Sequence, residues 1–274
     1  MIELPEAMAL ARQMNDELEG KVIEAGNCGN HPLKWAFYSR LKDQYADILP
    51  GKRVGPADAA GSCVAVRLEP GYALVLGDGG LRVHLHEPGD ALPKKHQLLL
   101  RFTDGTALTV SVQGWGFLQL IEEAALPGHP SRQGVSPLSN AFTYARFKEL
   151  VQAYERPDRG SVKKFLISDG GIAGIGNGYL HDILFRAGVH PRRKVADITG
   201  RERQKLYNAV RKVMREATDR GGRDTERGLH DEPGGYVPIL DSRAKGKPCP
   251  SCGTAIEKIR YLGGSCYFCP KCQT

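Results

Sequence analysis

Residues 170–191, GGIAGIGNGYLHDILFRAGVHP, run from a glycine-rich turn into a helical segment. Gly171, Gly174 and Gly176 allow the backbone to turn sharply and approach a neighbour closely, and Asn177 is placed to cap the helix that follows. Backbone N–H groups at such a start can hold a phosphate. A plain helical hairpin would carry the same signals, so the flanking chain has to decide.

On both sides the pattern is helical, with helices expected over 140–155, 160–168, 177–187 and 201–219. In the last, Leu206, Ala209, Val210, Val213, Met214 and Ala217 make an apolar stripe, while Arg203, Lys205, Arg211, Lys212 and Arg215 lie elsewhere on the helix. Toward the N-terminus the period changes. VAVRL, YALVL, LRVHL, QLLLRF, ALTVSV and GFLQL are short alternating runs divided by turn clusters such as EPG and GDGG, the mark of a β-sandwich or barrel. Ahead of them Pro5 opens a helix on which Ala7, Leu10, Ala11, Met14 and Leu18 recur at helical spacing, and Gly20 offers a stop. The segment 126–139, LPGHPSRQGVSPLS, is dense in Pro, Gly and Ser and reads as a linker. The expected organisation is α+β: a helix plus β-sandwich domain over 1–125, a linker over 126–139, a helical domain over 140–242 and a metal-binding tail over 243–274.

Charge is distributed unevenly over the 274 residues, whose formal net charge is +7. Residues 186–227 hold 13 Lys/Arg against 6 Asp/Glu, and residues 243–274 hold 6 against 1. The first 185 residues are near balance, with 19 basic and 21 acidic. A basic C-terminal half is the footprint of a polyanion binder, although a solvated basic helix face gives the same count. Nothing resembles a signal peptide or an 18-residue apolar run, so a soluble cytoplasmic protein with no membrane partner is expected.

Five of the seven cysteines fall in the last 26 residues. Cys249-x2-Cys252 and Cys269-x2-Cys272 are separated by 16 residues, the spacing of a two-knuckle zinc ribbon in which four thiolates hold one structural Zn2+. Cys266-x2-Cys269 is a competing knuckle, and the set 249/252/269/272 is preferred. Cys28 and Cys63 are isolated and are expected to be buried as small hydrophobes.

In this order the pieces resemble the formamidopyrimidine-DNA glycosylase/endonuclease VIII family of base-excision repair enzymes. The match runs through ELPE at 3–6, GVSPLS at 134–139, IAGIGNGYLHDILFRAGVHP at 172–191, GGRD at 221–224, a GGY ending at 236 and PCPSCG…YFCPKCQ at the end. The resemblance implies an N-terminal helix and β-sandwich, a helix–two-turn–helix domain with a zinc ribbon, and double-stranded DNA carrying a damaged base or abasic site as partner. A monomer on the bacterial nucleoid is expected. By motif position Asn177 would contact a phosphate beside the lesion. Members flip the damaged nucleotide out of the duplex and fill the gap with wedge side chains. SVQGWGFLQL (111–120) sits at that wedge, placing Trp115 and Gln113 there, although Trp115 could equally be a core residue on a strand.

The chain departs from the family at several functional positions. Typical members attack C1′ with the amine of an N-terminal proline and form a Schiff base. Here Ile2 stands in place of that proline; its bulk favours retention of Met1, while the adjacent Glu3 is kept and Glu6 completes the motif. A helper lysine is replaced at Gly61-Ser62, a void-filling methionine by Glu87, and a phosphate-gripping arginine in the ribbon by Gly264, for which Arg260 or Lys258 could substitute. Losses at functional positions on an intact scaffold point to a changed reaction rather than decay. Three readings follow: a monofunctional glycosylase in which Glu3 activates water, suited to N-alkylated purines that leave easily; a lesion- or abasic-site-binding protein without turnover; and a lyase using the Met1 amine. Glu3 could also be only a helix-start carboxylate.

Overall fold

The computed structural model describes residues 1–274 and divides into two compact units, Met1–Arg132 with Arg220–Gly235, and Gln133–Asp219 with Tyr236–Thr274.

The first unit begins with helix α1, Leu4–Leu18. Pro5 sits in its first turn, where a missing N–H costs nothing, and the Glu3 N–H donates to Glu6 Oε2 at 3.0 Å, closing that turn. The apolar stripe expected from the sequence is the buried one, and Gly20, at φ +87°, lies just beyond the helix end. Strands β1 (Ile23–Asn27), β2 (Ala36–Tyr38), β3 (Arg53–Ala60), β4 (Cys63–Glu69), β5 (Tyr72–Gly77), β6 (Leu81–His86), β7 (Leu98–Phe102), β8 (Ala107–Val112) and β9 (Gly116–Glu122) form two sheets. Their orders are β1-β7-β8-β6 and β2-β9-β5-β4-β3. Side chains from both sheets and from α1 join one core, which is the sandwich predicted from the alternating runs.

Two features of this unit escape periodicity. The three-residue strand β2 pairs in parallel with Gly116–Leu118, whereas the other strand pairs are antiparallel. Helix α2, Lys42–Ile48, is stitched down by fully buried Tyr45, whose hydroxyl donates to the Leu118 carbonyl at 2.6 Å and accepts from the Leu120 N–H at 3.1 Å. Cys28 and Cys63 are buried, as expected of small hydrophobes, and burial pushes their thiols up to about 11 and about 12.

The expected linker 126–139 is not a free tether. Its first part forms short 3-10 turns that end where Arg132 grips Asp58 with two bonds of 2.8 and 2.9 Å. Its second part belongs to the other unit, where the Val135 N–H donates to Gly171 O at 2.8 Å. The helical domain expected over 140–242 is interrupted as well. Residues 220–235 return to the first unit because Leu229, fully buried, joins its core and accepts from the Leu85 N–H at 2.9 Å.

In the second unit, α3 (Tyr144–Gln152), α4 (Val162–Lys164, continued by a wide π turn over Phe165–Asp169), α5 (Asn177–Ala187) and α6 (Gly200–Asp219) match the four helical segments, with α3 and α4 shorter than expected. Phe142, Phe147, Phe165 and Tyr207 pack ring to ring beneath them. The hairpin β10 (Glu257–Tyr261) and β11 (Gly264–Phe268) ends in a tail docked on the end of α5. Buried Gln273 donates to Val189 O at 3.0 Å, and Gly188 O accepts from the Thr274 N–H at 3.3 Å. No helix is long and apolar enough to cross a membrane.

Asp182, fully buried on α5, anchors the chain entering the ribbon. Its carboxylate accepts from the Tyr236 hydroxyl and from the N–H groups of Ile239 and Leu240, all at 2.8–2.9 Å. Asp182→Ala leaves two buried donors and one half-buried donor without partners, and urea unfolding of the variant is expected to record a loss of about 3 kcal/mol.

Candidate active site and zinc ribbon

At the N-terminus the chain is held by its backbone. The Ile2 N–H donates to Gly79 O at 2.8 Å, and the Ile2 side chain, 3% exposed, is part of the core. The nitrogen at this position is therefore an acylated amide whose lone pair is delocalised into the Met1 carbonyl. Gly79 has to be glycine: a Cβ there would lie 2.1 Å from the Trp115 carbonyl oxygen. The Met1 amine, one residue earlier, is an ammonium paired with Glu226 Oε2 at 2.8 Å.

Around this point the dominant group is Arg223, a residue quoted in the GGRD motif but given no role by the sequence reading. Its side chain is 8% exposed and faces three carboxylates. Nε lies 3.1 Å from Glu6 Oε1, Nη1 lies 3.4 Å from Glu3 Oε1 and Nη2 lies 3.6 Å from Glu226 Oε1; Nη2 also donates to the Met1 carbonyl. The Arg223 N–H adds a 3.0 Å bond to Glu6 Oε1. Glu3, 1% exposed, is thus an ion-paired group beside the Ile2 amide as well as a residue at the helix start. Glu6 braces both the α1 N-terminus and Arg223. The segment carrying Arg223 is tied to α1 again by Gln13, which accepts from the Leu229 N–H at 3.1 Å and donates to Glu232. Between the two runs a cleft of about 210 Å3, lined by Glu6, Gln13, Arg220, Glu226 and Glu232 among others.

The other candidate residues spread over both units. Gln113 and Trp115 lie on the turn between β8 and β9, both exposed, and that turn is clamped to Gly80 through bonds of the Gln113 N–H and the Trp115 carbonyl. Trp115 is 39% exposed, not a core residue. Glu87 is exposed on the turn after β6. Near it His86 is buried against Thr109 at 2.8 Å, and burial, followed by the charge of neighbouring His84, holds its imidazole below the usual range. In the second unit Lys258 and Arg260 are exposed on β10, opposite Tyr267 and Ser265.

Asn177 is the first residue of α5, not its cap; Gly176 holds the cap position. Its Oδ1 is buried with no hydrogen-bond partner. Across from it on the ribbon lies Gly264, where a Cβ would come within 2.9 Å of Asn177 Nδ2 and 3.6 Å of Lys163 Nζ. Lys163, fully buried, donates to the Tyr261 carbonyl at 2.8 Å and to Cys266 Sγ at 3.3 Å.

That last contact settles the ligand ambiguity in the tail. Cys249, Cys252, Cys269 and Cys272 bring their sulfurs within 4.8 Å of one another, whereas Cys266 turns to Lys163. Pairs at 3.9 Å (Cys249–Cys272) and 3.5 Å (Cys252–Cys269) bracket the about 3.8 Å edge of a tetrahedron of thiolates around zinc. The donor set fits a closed structural site that holds one zinc and leaves no open position for catalysis.

Two outcomes follow. Arg223→Ala removes the cation shared by three buried or half-buried carboxylates, and chemical unfolding is expected to show a loss of about 3–5 kcal/mol, with Arg223→Lys retaining part of it. Metal analysis of purified protein is expected to give one zinc per chain in wild type and in Cys266→Ser, and none in Cys269→Ser.

Comparison with known proteins agrees with this geometry. Residues 133–227 match the family model described as the formamidopyrimidine-DNA glycosylase H2TH domain, and residues 246–274 match the zinc finger found in FPG and IleRS. The formamidopyrimidine-DNA glycosylases of Geobacter metallireducens and Gluconobacter oxydans are 33% and 30% identical, each alignment covering all of both chains. In fold the chain is similar to Lactococcus lactis Fpg in complex with abasic-site DNA, with a TM-score of 0.84 at 22% identity over 99% of each chain. It is also similar to MutM in complex with DNA containing carbocyclic 8-oxo-G, with a TM-score of 0.85 at 23% identity over the same shares. With its helix and sandwich, its helix–two-turn–helix segment and its four-cysteine ribbon, the chain belongs to the formamidopyrimidine-DNA glycosylase family.

Proposed function

We propose that this protein is a DNA glycosylase that extrudes a damaged nucleotide from double-stranded DNA and hydrolyses its N-glycosidic bond without forming a Schiff base. The observation that carries this reading is the state of the nitrogen at residue 2: an amide, hydrogen-bonded to Gly79, whose side chain is locked in the core. An amide nitrogen cannot condense with an aldehyde carbon, so the covalent route is closed at the position where the family opens it. The Met1 amine, one residue earlier, is itself paired with Glu226 at 2.8 Å.

What remains beside that position is the carboxylate of Glu3. In the proposed reaction the bond from C1′ to the base breaks and its electron pair leaves with the base. Water adds to C1′ as its proton passes to Glu3. Arg223 positions the carboxylate and opposes its charge from 3.4 Å. Assistance of this kind supplies roughly 10²–10⁴ in rate, which favours bases that already leave well. Purines carrying an alkyl group on N7 or N3 are positively charged and depart as neutral molecules, and we assign the substrate to that class. Asn177, Lys258 and Arg260 in the second unit and Gln113, Trp115 and Glu87 in the first are proposed DNA contacts.

A lesion panel of N7-alkylguanine, oxidised-base and undamaged duplexes, scored with and without alkali, tests the assignment. Wild type is expected to release base from the alkylated duplex and to cut the strand only after alkali. Glu3→Gln is expected to lower base release by about 10²–10⁴ while still binding an abasic analogue. Equal activity in Glu3→Gln clears that residue. Tight binding with no release from any duplex identifies a lesion-binding protein instead, a reading favoured by the 1% exposure of Glu3.

A further inference from the structure

Helix α6 turns a row of cations to solvent. Its buried stripe packs against α5 and α3. Away from that stripe Arg201, Lys205, Asn208, Lys212 and Arg215 follow one another at steps of four and three residues, and all five are exposed. Such steps keep them on one face of the helix. Four of the five are positive and none is negative. From Arg201 to Arg215 the row runs about 21 Å along the helix axis.

This placement works against the helix. Arg201 stands in the first turn, where the positive end of the macrodipole opposes a cation. Arg201 with Lys205, and Lys212 with Arg215, set like charges at neighbouring positions on the helix surface. The carboxylates of α6 give little relief. Glu202 accepts from the Thr199 N–H at 2.8 Å and faces Arg193, while Glu216 grips Arg186 at 2.7 Å and reaches Lys212 only at 3.8 Å. Arg201, Lys205 and Arg215 form no ion pair. A rigid row of uncompensated positive charge is complemented by a polyanion from outside the chain.

The row is distinct from the proposed DNA contacts of this unit. Asn177 begins α5 beside Gly264, and Lys258 and Arg260 lie on the ribbon, which packs on α5 through β11. The cations of α6 face away from α5. No apolar side chain stands among them, as a helix lying on a lipid surface would need and as the core of a protein interface would use for its anchors. A nucleic-acid strand fits better: with one phosphate per about 3.4 Å of duplex axis, the row runs beside about six phosphates.

We propose that the Arg201–Lys205–Lys212–Arg215 face of α6 holds the phosphate backbone of a second duplex segment, so that one chain bridges two segments of DNA. The inference rests on the reading that this protein holds double-stranded DNA, and it does not require base release. Contacts to phosphate carry no sequence information, so the second segment is bound whatever its bases.

The test mixes the full chain with a donor-labelled duplex bearing an abasic analogue and an acceptor-labelled undamaged duplex. Energy transfer reports a protein holding both. Wild type is expected to give transfer at low salt, and its hold on the second duplex is expected to weaken about 10²-fold between about 50 and 200 mM salt, the dependence of four phosphate contacts. Changing Arg201, Lys205, Lys212 and Arg215 together to Gln is expected to abolish transfer while affinity for the abasic duplex alone stays within about twofold. Changing Arg201 and Arg215 to Lys is expected to keep it. Unchanged transfer in the four-Gln variant overturns the proposal. So does an equal loss of abasic-duplex binding, a wild type that saturates with one duplex per chain at low salt, or transfer that follows a protein dimer in sedimentation. Binding of anionic lipid vesicles through these cations, with no second duplex held, overturns it as well. Transfer by a wild type that releases no base from any duplex refutes the glycosylase assignment and sustains this one.

Discussion

The guanidinium of Arg223 is the interaction on which the arrangement of the first unit's functional end depends. It is nearly buried among the carboxylates of Glu3, Glu6 and Glu226 and bonds the Met1 carbonyl as well. Remove it and three acidic groups crowd one end of a helix. With it in place, residues 220–235 are recruited to α1, the helix start is closed through Glu6, and the Met1 amine finds Glu226. Burying one charge among several is costly unless every donor finds a partner, and here Nε, Nη1 and Nη2 each face an oxygen. The same guanidinium holds the Glu3 carboxylate beside the Ile2 amide.

Seen from that cluster, the departures from the family are concerted. The Ile2 side chain is part of the core, and Gly79 admits the close backbone approach that fixes the Ile2 amide. Gly264 lies beside the side-chain ends of Asn177 and Lys163, and Lys163 donates inside the ribbon to Tyr261 and Cys266.

Much of this was legible in the sequence because it rests on local rules. Pro5 and the 3.6-residue stripe of α1, the alternating runs of β4 to β9 and the paired cysteines each declare themselves within a few residues. The Cys249/252/269/272 set was readable from spacing, although only the Lys163–Cys266 contact removes the fifth thiol from contention. Non-local pairings were not legible. The parallel strand β2 is three residues long, too short for any period, and it is what gathers Trp35 and Phe37 beside Trp115. The return of 220–235 to the first unit depends on Leu229 and Arg223 finding partners more than 200 positions away, which no window of sequence reveals. Asn177 was misjudged as a cap because Asn favours that position, whereas Gly176, one residue earlier, adopts the extended conformation the cap requires.

In the proposed reaction the nitrogen of residue 2 forms no Schiff base, and the Glu3 carboxylate beside it assists the attack of water. Trapping with borohydride on abasic-site duplex tests it most directly, because reduction captures any Schiff base as a covalent protein–DNA adduct. No adduct is expected from protein that releases an alkylated base in a parallel reaction. An adduct, mapped by peptide mass to Met1 or to any lysine, would contradict it.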